Sequence, residues 1–447
     1  MHPSSDPASP TTPRRPDWRT RVPFFYGWVI VASTFAVFAF SYGVYYSFSV
    51  YYVALLEEFG WSRASTAGVF SLFVTMGGVG GLIGGALLDR FGPGKVMPAG
   101  GLMLAAGLVA TSQLTQLWEF YLYFGVVVGL AFSFTGWVSG ITVVSRWFSG
   151  KQGIAIGITA AGIGLGTVIM APFSQYLIST AGWRTAYLVM AAAALFGIVP
   201  QTALLQVGRP EEMGLRQDGR SDTAKGEAVM SPPKRRVEVI DARWASRPWT
   251  VRTAARTGRF WLLTICYVLS VLSQQLVFVH QAAYLVDSGY EKILAASVVG
   301  LVGFLSMFTK IALGELGDRI GRERSFTVGA VFAVVGICML VLARITPSVW
   351  VVLLYAAIFT VSYAATPANL STATADIFAS RNFGAIYGAI CVGQGVGAAL
   401  GAWIAGYIFD TTGSYFAAFG VSAASAVLSV VCLWLAAPRL VRRVVRT

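Results

Sequence analysis

Two ionisable side chains lie inside long apolar runs of this 447-residue sequence. Lys310 interrupts GFLSMFTKIALG, and His280 lies in LSQQLVFVHQAAYLV, seven residues before Asp287. A lysine binds an anion as a point charge, and a histidine gains or loses a proton near neutral pH. These residue types therefore predict anion binding and proton transfer. Two alternatives remain: Lys310 extends its ammonium group out of the apolar run toward water, and His280 is a structural residue with satisfied hydrogen bonds.

The apolar runs around these two residues belong to a pattern that covers the chain. Hydrophobic residues make up 56% of the sequence and charged residues only 12%, whereas a soluble domain has about a quarter charged residues. Twelve apolar runs are long enough to cross a bilayer, since a hydrocarbon core ~30 Å thick needs ~20 helical residues. An open sheet would leave backbone groups unpaired in lipid. The sequence predicts an all-α polytopic membrane protein with 12 transmembrane helices.

Positive charge is distributed unevenly in a chain whose net charge is +13. Lys and Arg cluster in the N-terminal tail, in every second loop, in a central polar segment and in the C-terminal RLVRRVVR. Because basic loops stay in the cytoplasm, we expect a multi-pass protein of the plasma (inner) membrane with both termini cytoplasmic. The basic segments would face lipid headgroups rather than nucleic acid. Glu57, Glu58 and Asp287 fall near the outer surface, where we expect them to be solvated.

A polar segment divides the apolar runs into two sets of six. It covers residues 207–256, is rich in Pro and Gly, and is interpreted as a cytosolic linker between two six-helix bundles. The bundles are expected at 22–206 and 257–437. A Pro/Ser/Thr-rich tail at 1–21 is expected to be disordered and cytosolic, and residues 438–447 form a basic cytosolic tail.

The two sets of runs resemble each other in their loops. GGALLDRFGPGK (84–95) matches LGELGDRIGRER (313–324) as G-x-x-x-D-R-x-G, and SRWFSGKQG (145–153) matches ADIFASRNF (375–383) at nearly the same offset. A repeat of this kind is typical of transporters built from two homologous halves, with the substrate bound between them. The charged residues of these loops could latch the cytosolic face, and they are Asp89, Arg90, Arg146, Asp318 and Arg319.

The doubled loop resembles the signature loop of the major facilitator superfamily. In addition, YGWVIVASTFAVFAFSY (26–42) and WFSGKQGIAIGITAAGIGLG (147–166) resemble the two signatures of the monocarboxylate porter family, to which the oxalate–formate exchangers are related. The resemblance implies cotransport of a small carboxylate with a proton, and loops that latch the outward-open state. It also implies that glycines on helices 2, 5 and 11, such as Gly81, Gly162 and Gly397, serve surfaces that slide between the halves. Plain tight packing of the helices is the alternative for each pair of glycines.

The resemblance carries over to the binding site only in part. Animal members have a lysine on helix 1 after F-S-Y, where this chain has Tyr46. They also have an Asp–Arg pair one turn apart on helix 8, and here Ser306 and Lys310 occupy those places. The resemblance therefore implies recognition of a negatively charged substrate by Lys310, with Ser306 as a further hydrogen-bond donor. It does not carry over the family's proton route, because the aspartate and the helix 1 lysine are absent. The related exchangers have a second lysine on helix 11, where this chain offers Gln394, and this difference disfavours a dicarboxylate.

We therefore expect a proton-coupled symporter of a small, lactate- or pyruvate-like monocarboxylate. His280, or Lys310 itself, would carry the proton, and the protein would function as a monomer in the lipid bilayer. Alternatives are a carboxylate exchanger, a drug/proton antiporter and a carboxylate sensor that does not transport. No metal-ligand cluster, nucleophile–base pair or phosphate loop is present in the sequence, so neither an enzyme nor a cofactor is expected. The predicted substrate-binding residues are Lys310, His280, Ser306, Tyr46, Trp137 and Tyr363. The three aromatic residues are included because they lie mid-helix, and ordinary packing is the alternative for each of them.

Overall fold

The computed structural model shows a protein built almost entirely of long helices. It describes residues 22–149, 151–219, 237–380 and 382–444. The tail predicted at 1–21, residues 220–236 of the predicted linker and the last three residues lie outside this part of the chain.

The first half contains six spanning helices. They are α1 (Gly27–Phe59), α2 (Arg63–Phe91), α3 (Pro93–Ser112), α4 (Leu117–Trp147), and α5 and α6 within the helical stretch Gln152–Leu205. The second half contains the other six, which are α7 (Gly258–Asp287), α8 (Lys292–Ile320), α9 (Arg322–Ile345), α10 (Val349–Phe378), α11 (Phe383–Thr412) and α12 (Phe416–Ala436).

The stretch Gln152–Leu205 is too long to be one membrane span. Its 54 residues would extend ~80 Å at ~1.5 Å per residue, against a hydrocarbon core of ~30 Å. Gly182 interrupts it with φ 80° and ψ 159°, a conformation that only glycine adopts without strain. The chain therefore turns at this residue into α5 (152–181) and α6 (183–205). Eleven helical stretches of sufficient length and hydropathy thus form 12 spans, and the predicted fold is confirmed.

The backbone conformation explains why each copy of the doubled loop ends in glycine. Gly92 follows α2 with φ 78° and ψ 160°, and Gly321 follows α8 with φ 98° and ψ 153°. Each reverses the chain within one residue, because the next helix begins at Pro93 or Arg322. A side chain at either position would be strained, so the repeated glycine is required by the tight turn.

Two spanning helices are interrupted along their length. α4 contains a π-helical segment, Tyr121–Val128, and breaks at Gly136, after which the segment Trp137–Trp147 begins. α7 ends its first segment at Phe278 and resumes at Gln281, with His280 at the junction. Such interruptions occur often at functional sites, and both place predicted site residues.

The glycines of α5 and α11 pack mostly inside their own half, contrary to the expectation that they face the other half. A Cβ at Gly162 or Gly166 would lie 2.2 or 2.0 Å from a backbone carbonyl oxygen of α1. A Cβ at Gly397 would lie 2.3 Å from the carbonyl oxygen of Val268 on α7. Small residues permit this close approach of helix backbones. Contact between the halves uses other glycines, which are Gly164, Gly300 and Gly303 at the crossing of α5 and α8, and Gly406 at the crossing of α11 and α2.

The polar segment and the C-terminal residues lie on one side of the membrane, which we call the linker face. Val237–Val239 (β1) pairs in antiparallel fashion with Arg442–Val444 (β2), and this two-stranded sheet was not expected from the sequence. The repeat is visible here as well. Phe148, after α4, packs edge-on to Phe25 at 5.5 Å, and Phe378, at the end of α10, packs edge-on to Trp249 at 5.2 Å.

Candidate functional site

Lys310 lies in the linker-face half of α8 and has no anionic partner. Its ammonium nitrogen is 5.8 Å from the centre of the Tyr363 ring on α10, within the range of a cation–π contact. Among the described residues, no carboxylate lies within ion-pair distance of Lys310 and no group accepts a hydrogen bond from it. An intramembrane cation normally pairs with a carboxylate or with carbonyl oxygens. The unpaired charge of Lys310 is therefore available to an anionic ligand.

The ring beside Lys310 belongs to an aromatic cluster that joins both halves of the protein. The hydroxyl groups of Tyr363 and Tyr46 are hydrogen-bonded to each other. Phe278 packs on both rings, 5.2 Å from Tyr46 and 5.6 Å from Tyr363. We call these three residues the aromatic roof. Counted from the ends of their helices, Tyr46 and Phe278 lie farther from the linker face than Lys310 does, so the roof covers Lys310 on the side opposite the linker face.

Trp137 continues the aromatic surface on the first half. It begins the helical segment after the break at Gly136 and stacks on Phe38 of α1 at 5.9 Å. Tyr42 connects this pair to the roof, with its ring 5.6 Å from Phe38 and 6.2 Å from Tyr46. Trp137 remains 45% exposed. Four of the six predicted substrate-binding residues, Lys310, Tyr363, Tyr46 and Trp137, therefore border one surface between the halves.

Ser306 is not presented to this surface. Its side chain is buried, and its hydroxyl group donates a hydrogen bond to the carbonyl oxygen of Gly303, 2.7 Å away on the same helix. A serine that bonds back to its own helix has already used its donor. In this state the hydroxyl group is not free to bind the anion that Lys310 would hold.

His280 lies at a different depth from Lys310. It is seven residues from the end of α7 opposite the linker face, roughly 10 Å along the helix, whereas Lys310 is 18 residues, roughly 27 Å, from the corresponding end of α8. Its Nε2 is 2.8 Å from the carbonyl oxygen of Ala402. Its Nδ1 is 3.1 Å from the hydroxyl oxygen of Tyr415 and 3.3 Å from that of Tyr52. His280 is thus fully buried among hydrogen-bonding partners from three helices.

These partners belong to a polar cluster that closes the side opposite the linker face. Arg63 of α2 pairs with Asp287 of α7 at 2.7 Å and donates to the hydroxyl group of Tyr415 at 2.6 Å. The carboxylate of Asp410 on α11 accepts hydrogen bonds from the backbone N–H groups of Arg63, at 2.8 Å, and of Ala64, at 2.7 Å. We call Arg63, Asp287, Asp410 and Tyr415 the gate cluster, since it ties the two halves together.

Glu57, Glu58 and Asp287 are exposed, in agreement with the expectation that they are solvated, and each also forms an ion pair that was not expected. Glu57 pairs with Lys292 at 2.5 Å, which joins α1 to α8 across the halves. Glu58 pairs with Arg184 at 2.6 Å inside the first half, and Asp287 pairs with Arg63 as described. Position alone could not reveal these pairs, because the partner residues are more than 120 residues away in sequence.

The predicted latch residues of the linker face pair inside their own halves. In the first half, Arg146 pairs with Asp89. In the second half, Arg322 lies between two carboxylates, 2.6 Å from Asp318 and 3.4 Å from Asp376. Asp376 occupies the repeat position of Arg146, so Arg322 supplies the positive charge that this position lacks.

The arginines next to the motif aspartates point elsewhere. Arg319 pairs with Glu315 one turn back on α8, and Arg90 lies over the ring of Phe91 at 5.2 Å. Both side chains are exposed. The structure thus brings Asp89 together with Arg146, and it does not bring Arg90 or Arg319 to them.

The interface between the halves is closed at the gate cluster and open toward the linker face. Near the gate, Ser71 of α2 donates to the carbonyl oxygen of Ala399 on α11 at 2.5 Å, and a Cβ at Gly406 would lie 2.6 Å from the backbone of Ala64. Nearer the linker face, a Cβ would meet no neighbouring atom within 4 Å at Gly81, Gly157 or Gly388. We call this loosely packed linker-face side of the interface the cleft, and Lys310 lies in the same half of the membrane on α8.

The family model of the Major Facilitator Superfamily matches residues 33–390 and 316–446, which together cover most of the chain. The chain belongs to the major facilitator superfamily. Its fold agrees with solved major facilitators of low sequence identity. A bacterial homologue of the human lysosomal transporter Spinster, in an inward-facing and unoccupied conformation, has a TM-score of 0.64 at 16% identity and covers 93% of this chain and 98% of that one. The nucleoside transporter NupG has a TM-score of 0.68 at 11% identity, with 91% of this chain and 100% of that chain covered.

Curated relatives place this major facilitator near the monocarboxylate transporters. Monocarboxylate transporter 13 of Rattus norvegicus is 28% identical over 400 residues, which cover 89% of this chain and 86% of that protein. Human monocarboxylate transporter 2 is 24% identical over 395 residues, which cover 87% and 81%. The predicted resemblance to the monocarboxylate porters is confirmed. This major facilitator is a transporter and not an enzyme.

Sequence reasoning missed the gate cluster and the aromatic neighbours of the predicted residues. Arg63 and Asp410 are ordinary helix-end residues in the sequence, and nothing in their spacing connects them. Phe278 and Tyr42 are apolar or aromatic residues inside apolar runs, where dozens of similar residues occur. A signal for Tyr42 was present in the F-S-Y motif (40–42), but the spacing of that motif led to Tyr46 instead.

Proposed function

We propose that this major facilitator transports a small monocarboxylate, such as a lactate- or pyruvate-like acid, together with a proton by alternating access. The observation that carries the proposal is the unpaired Lys310 in the cleft between the halves. Free energy is required to hold this charge away from water, and a bound carboxylate supplies the missing counter-charge. The names of the monocarboxylate transporter relatives support the same substrate class.

The surroundings of Lys310 suit a small anion with one carboxylate. A lysine offers a single positive point charge without the two-pronged geometry of arginine. The hydroxyl groups of Tyr363 and Tyr46 are the nearest uncharged hydrogen-bonding groups of the aromatic roof, and Trp137 offers an apolar face for the remainder of the substrate. Gln394 supplies no second charge on α11, so a dicarboxylate would lack a partner for its other end.

The proton route of this proposal involves His280 or Lys310. His280 contacts Tyr415, a member of the gate cluster, and protonation there would place a second positive charge near Arg63. His280 would therefore couple proton binding to opening of the gate rather than touch the substrate. In the alternative route, Lys310 itself loses its proton when the anion leaves.

In the transport cycle, the gate cluster and the loops of the linker face would act in turn. With the gate closed, the substrate leaves toward the linker face. We propose that this face lies in the cytoplasm, and that the protein functions as a monomer in the plasma membrane. When the linker face closes, Asp89, Arg90, Arg146, Asp318 and Arg319 would form contacts between the halves and latch the outward-open state.

A carboxylate exchanger is the second candidate. Among the residues that the structure describes, no carboxylate lies beside Lys310 to carry a proton, since Ser306 stands at the place of the family's aspartate. An exchanger needs no such carboxylate. A drug/proton antiporter would have no use for Lys310, and a sensor would bind without transport.

Ligand-induced stabilisation of the purified protein tests the role of Lys310. A panel of monocarboxylates should raise the melting temperature of the wild-type protein, because ligand that binds only the folded state stabilises it. Lys310→Gln should lose this shift, whereas Lys95→Gln, which removes an exposed lysine of the linker face, should keep it. A shift that persists in Lys310→Gln would refute the assignment.

Uptake into reconstituted vesicles separates the transport modes. Symport predicts saturable uptake that rises several-fold when the outside is made acidic. Exchange predicts counterflow that ignores the pH gradient, and a sensor predicts no saturable uptake. Full uptake activity of Lys310→Gln would favour the drug antiporter.

A further inference from the structure

Residues 237–257 form a strap along the linker face that is fixed to the end of α10. Trp244 donates from its indole nitrogen to the carbonyl oxygen of Ile377 at 2.9 Å. Trp249 packs edge-on to Phe378, and its carbonyl oxygen accepts a hydrogen bond from the side chain of Asn382 at 3.1 Å. We call this segment the linker strap. Its position is thereby defined by the second half of the protein.

The C-terminal segment holds the linker strap from its other side. Strand β2 pairs with β1 at the start of the strap, and Val237 lies opposite Val444. Arg442 donates hydrogen bonds to the carbonyl oxygens of Ala375 and Asp376, both at 3.1 Å. These carbonyls belong to the last turn of α10, where backbone acceptors have no partner within the helix. The strap, the C-terminal segment and α10 thus form one connected unit.

Four arginines of the strap are accessible to solvent and lipid. They are exposed and form no ion pair with any residue that the structure describes. The strap contains two acidic residues, and Asp241 is already used, because its carboxylate caps the short helix Ala242–Ala245. The exposed positive charge is therefore not neutralised within the described protein. The four residues are Arg243, Arg247, Arg252 and Arg256.

The strap lies at the level of the lipid headgroups. It leads directly into α7 at Gly258, and Trp261, in the first turn of that helix, is 55% exposed. Tryptophan is enriched where a spanning helix crosses the membrane interface. Leu435 near the end of α12 and Leu440 just after it are also exposed. These apolar residues mark the edge of the hydrocarbon region, and Arg256 precedes Gly258 by only two residues.

We propose that the linker strap binds anionic phospholipid headgroups through Arg243, Arg247, Arg252 and Arg256. A guanidinium group donates two parallel hydrogen bonds to phosphate oxygens, and each basic residue near an anionic membrane surface adds to the electrostatic attraction. The bound lipid would hold the strap against the membrane. Because the strap is attached to the end of α10, the same lipid would stabilise the helix end that carries Asp376, the partner of Arg322.

Thermal unfolding of the full chain in mixed micelles tests this proposal without any transport measurement. Phosphatidylglycerol should raise the melting temperature by several degrees, and phosphatidylcholine at the same mole fraction should not. The triple variant Arg243→Gln, Arg252→Gln and Arg256→Gln should lose at least half of this difference. It spares Arg247, which lies 5.9 Å from the rings of Trp244 and Trp249 and helps to order the strap.

A second triple variant controls for net charge. Lys95→Gln, Arg209→Gln and Arg324→Gln remove three exposed charges from the linker face outside the strap, and this protein should keep the full lipid shift. Equal losses in both triple variants would show that only total charge matters and would overturn the proposal. The absence of a phosphatidylglycerol shift in the wild-type protein would overturn it too. A comparable shift with inorganic phosphate would show that the site takes a free anion instead of a lipid.

Lipid retention provides a readout that does not depend on unfolding. After gel filtration, the wild-type protein and the control variant should carry several-fold more phosphatidylglycerol per molecule than the strap variant. The triple exchange of the same arginines for lysine retains the charge and should recover most of the bound lipid. If the strap variant and the wild-type protein retain equal amounts, the strap is not the lipid site.

Discussion

At the scale of single residues, charge without a partner is the informative feature. Within the described part of the chain, Lys310 has no carboxylate partner, while Arg63, Arg146 and Arg322 each have a carboxylate within reach. An arginine that is paired in the resting state stabilises a conformation. An unpaired lysine next to an aromatic ring is free to bind a substrate instead, which is why the function is assigned to Lys310.

His280 is the residue whose role a single substitution can decide. If His280 couples the proton to the gate, His280→Gln should flatten the dependence of uptake on outside pH while uptake itself persists. The substitution also disturbs buried hydrogen bonds to Tyr52 and Tyr415, which should cost about 1–3 kcal/mol of stability. Uptake in vesicles at several outside pH values, with the melting temperature measured in parallel, reports both effects.

A neighbouring variant separates proton coupling from a structural role. Tyr415→Phe removes one hydrogen-bond partner of His280 but no group that titrates near neutral pH, so its pH response should match the wild-type protein. If His280→Gln keeps the wild-type pH response and loses only stability, His280 is structural and Lys310 becomes the proton carrier.

At the scale of helices, glycine decides which surfaces are fixed and which can move. Gly166 sits against the carbonyl oxygen of Ala39 in this state, so α1 and α5 form a permanent contact within the first half. Gly157, two and a half turns away on the same helix, faces open space on the linker-face side of the cleft. The two glycines look alike in the sequence, yet one lies in a close helix contact and the other on an open surface, which would close in the proposed transport cycle.

Valine at these two positions should therefore have different effects, on folding at Gly166 and on transport at Gly157. Gly166→Val would place Cβ 2.0 Å from a backbone oxygen, and overpacking of this kind costs typically 1–3 kcal/mol or more, so we expect a large loss of folded protein. Gly157→Val should fold with nearly unchanged stability but transport several-fold more slowly, because α5 could no longer approach α8. Gel filtration, melting temperature and vesicle uptake distinguish the two, and wild-type transport by Gly157→Val would contradict this division.

At the scale of the whole molecule, ion pairs and hydrogen bonds join the two halves at the gate cluster, whereas the halves are loosely packed at the linker face. Arg63 contributes an ion pair, a hydrogen bond to Tyr415 and a 3.7 Å contact with the ring of Phe409, all to the second half. The ion pairs of the linker face remain inside each half. We propose that this asymmetry favours the conformation that is open toward the linker face, and that the gate cluster sets the balance between this conformation and the outward-open one.

Weakening the gate should shift this balance toward the state that is open on the other side. We expect Arg63→Gln to raise the population of that state about tenfold, equivalent to ~1.4 kcal/mol. Spin labels at Gln113 and Thr346, in loops of different halves at the gate end, would report longer distances in a background without the four native cysteines. Arg184→Gln, which breaks the pair with Glu58 inside one half, is the matched control. If both variants shift the distances equally, the gate cluster has no special role.

The sequence by itself determined the features that depend on solvent and chain chemistry. Lipid requires long apolar helices, so the 12 spans could be read from composition, and repetition of the doubled loop predicted two halves. Lys310 could be found because a charge in an apolar run is costly wherever the helix packs. Its aromatic neighbours Tyr46 and Tyr363 were predicted from their mid-helix positions, although their contact with each other was not.

Only the tertiary structure decided which residues meet. Helix rotation and the crossing of helices distant in sequence placed Arg63 against Asp410, put Arg322 between Asp318 and Asp376, and turned the hydroxyl group of Ser306 back to its own helix. The same packing separated His280 from Lys310, although both looked like members of one site. Hydropathy depends on each residue and its neighbours along the chain, whereas a contact depends on the relative rotation and depth of two helices, which one sequence does not encode locally.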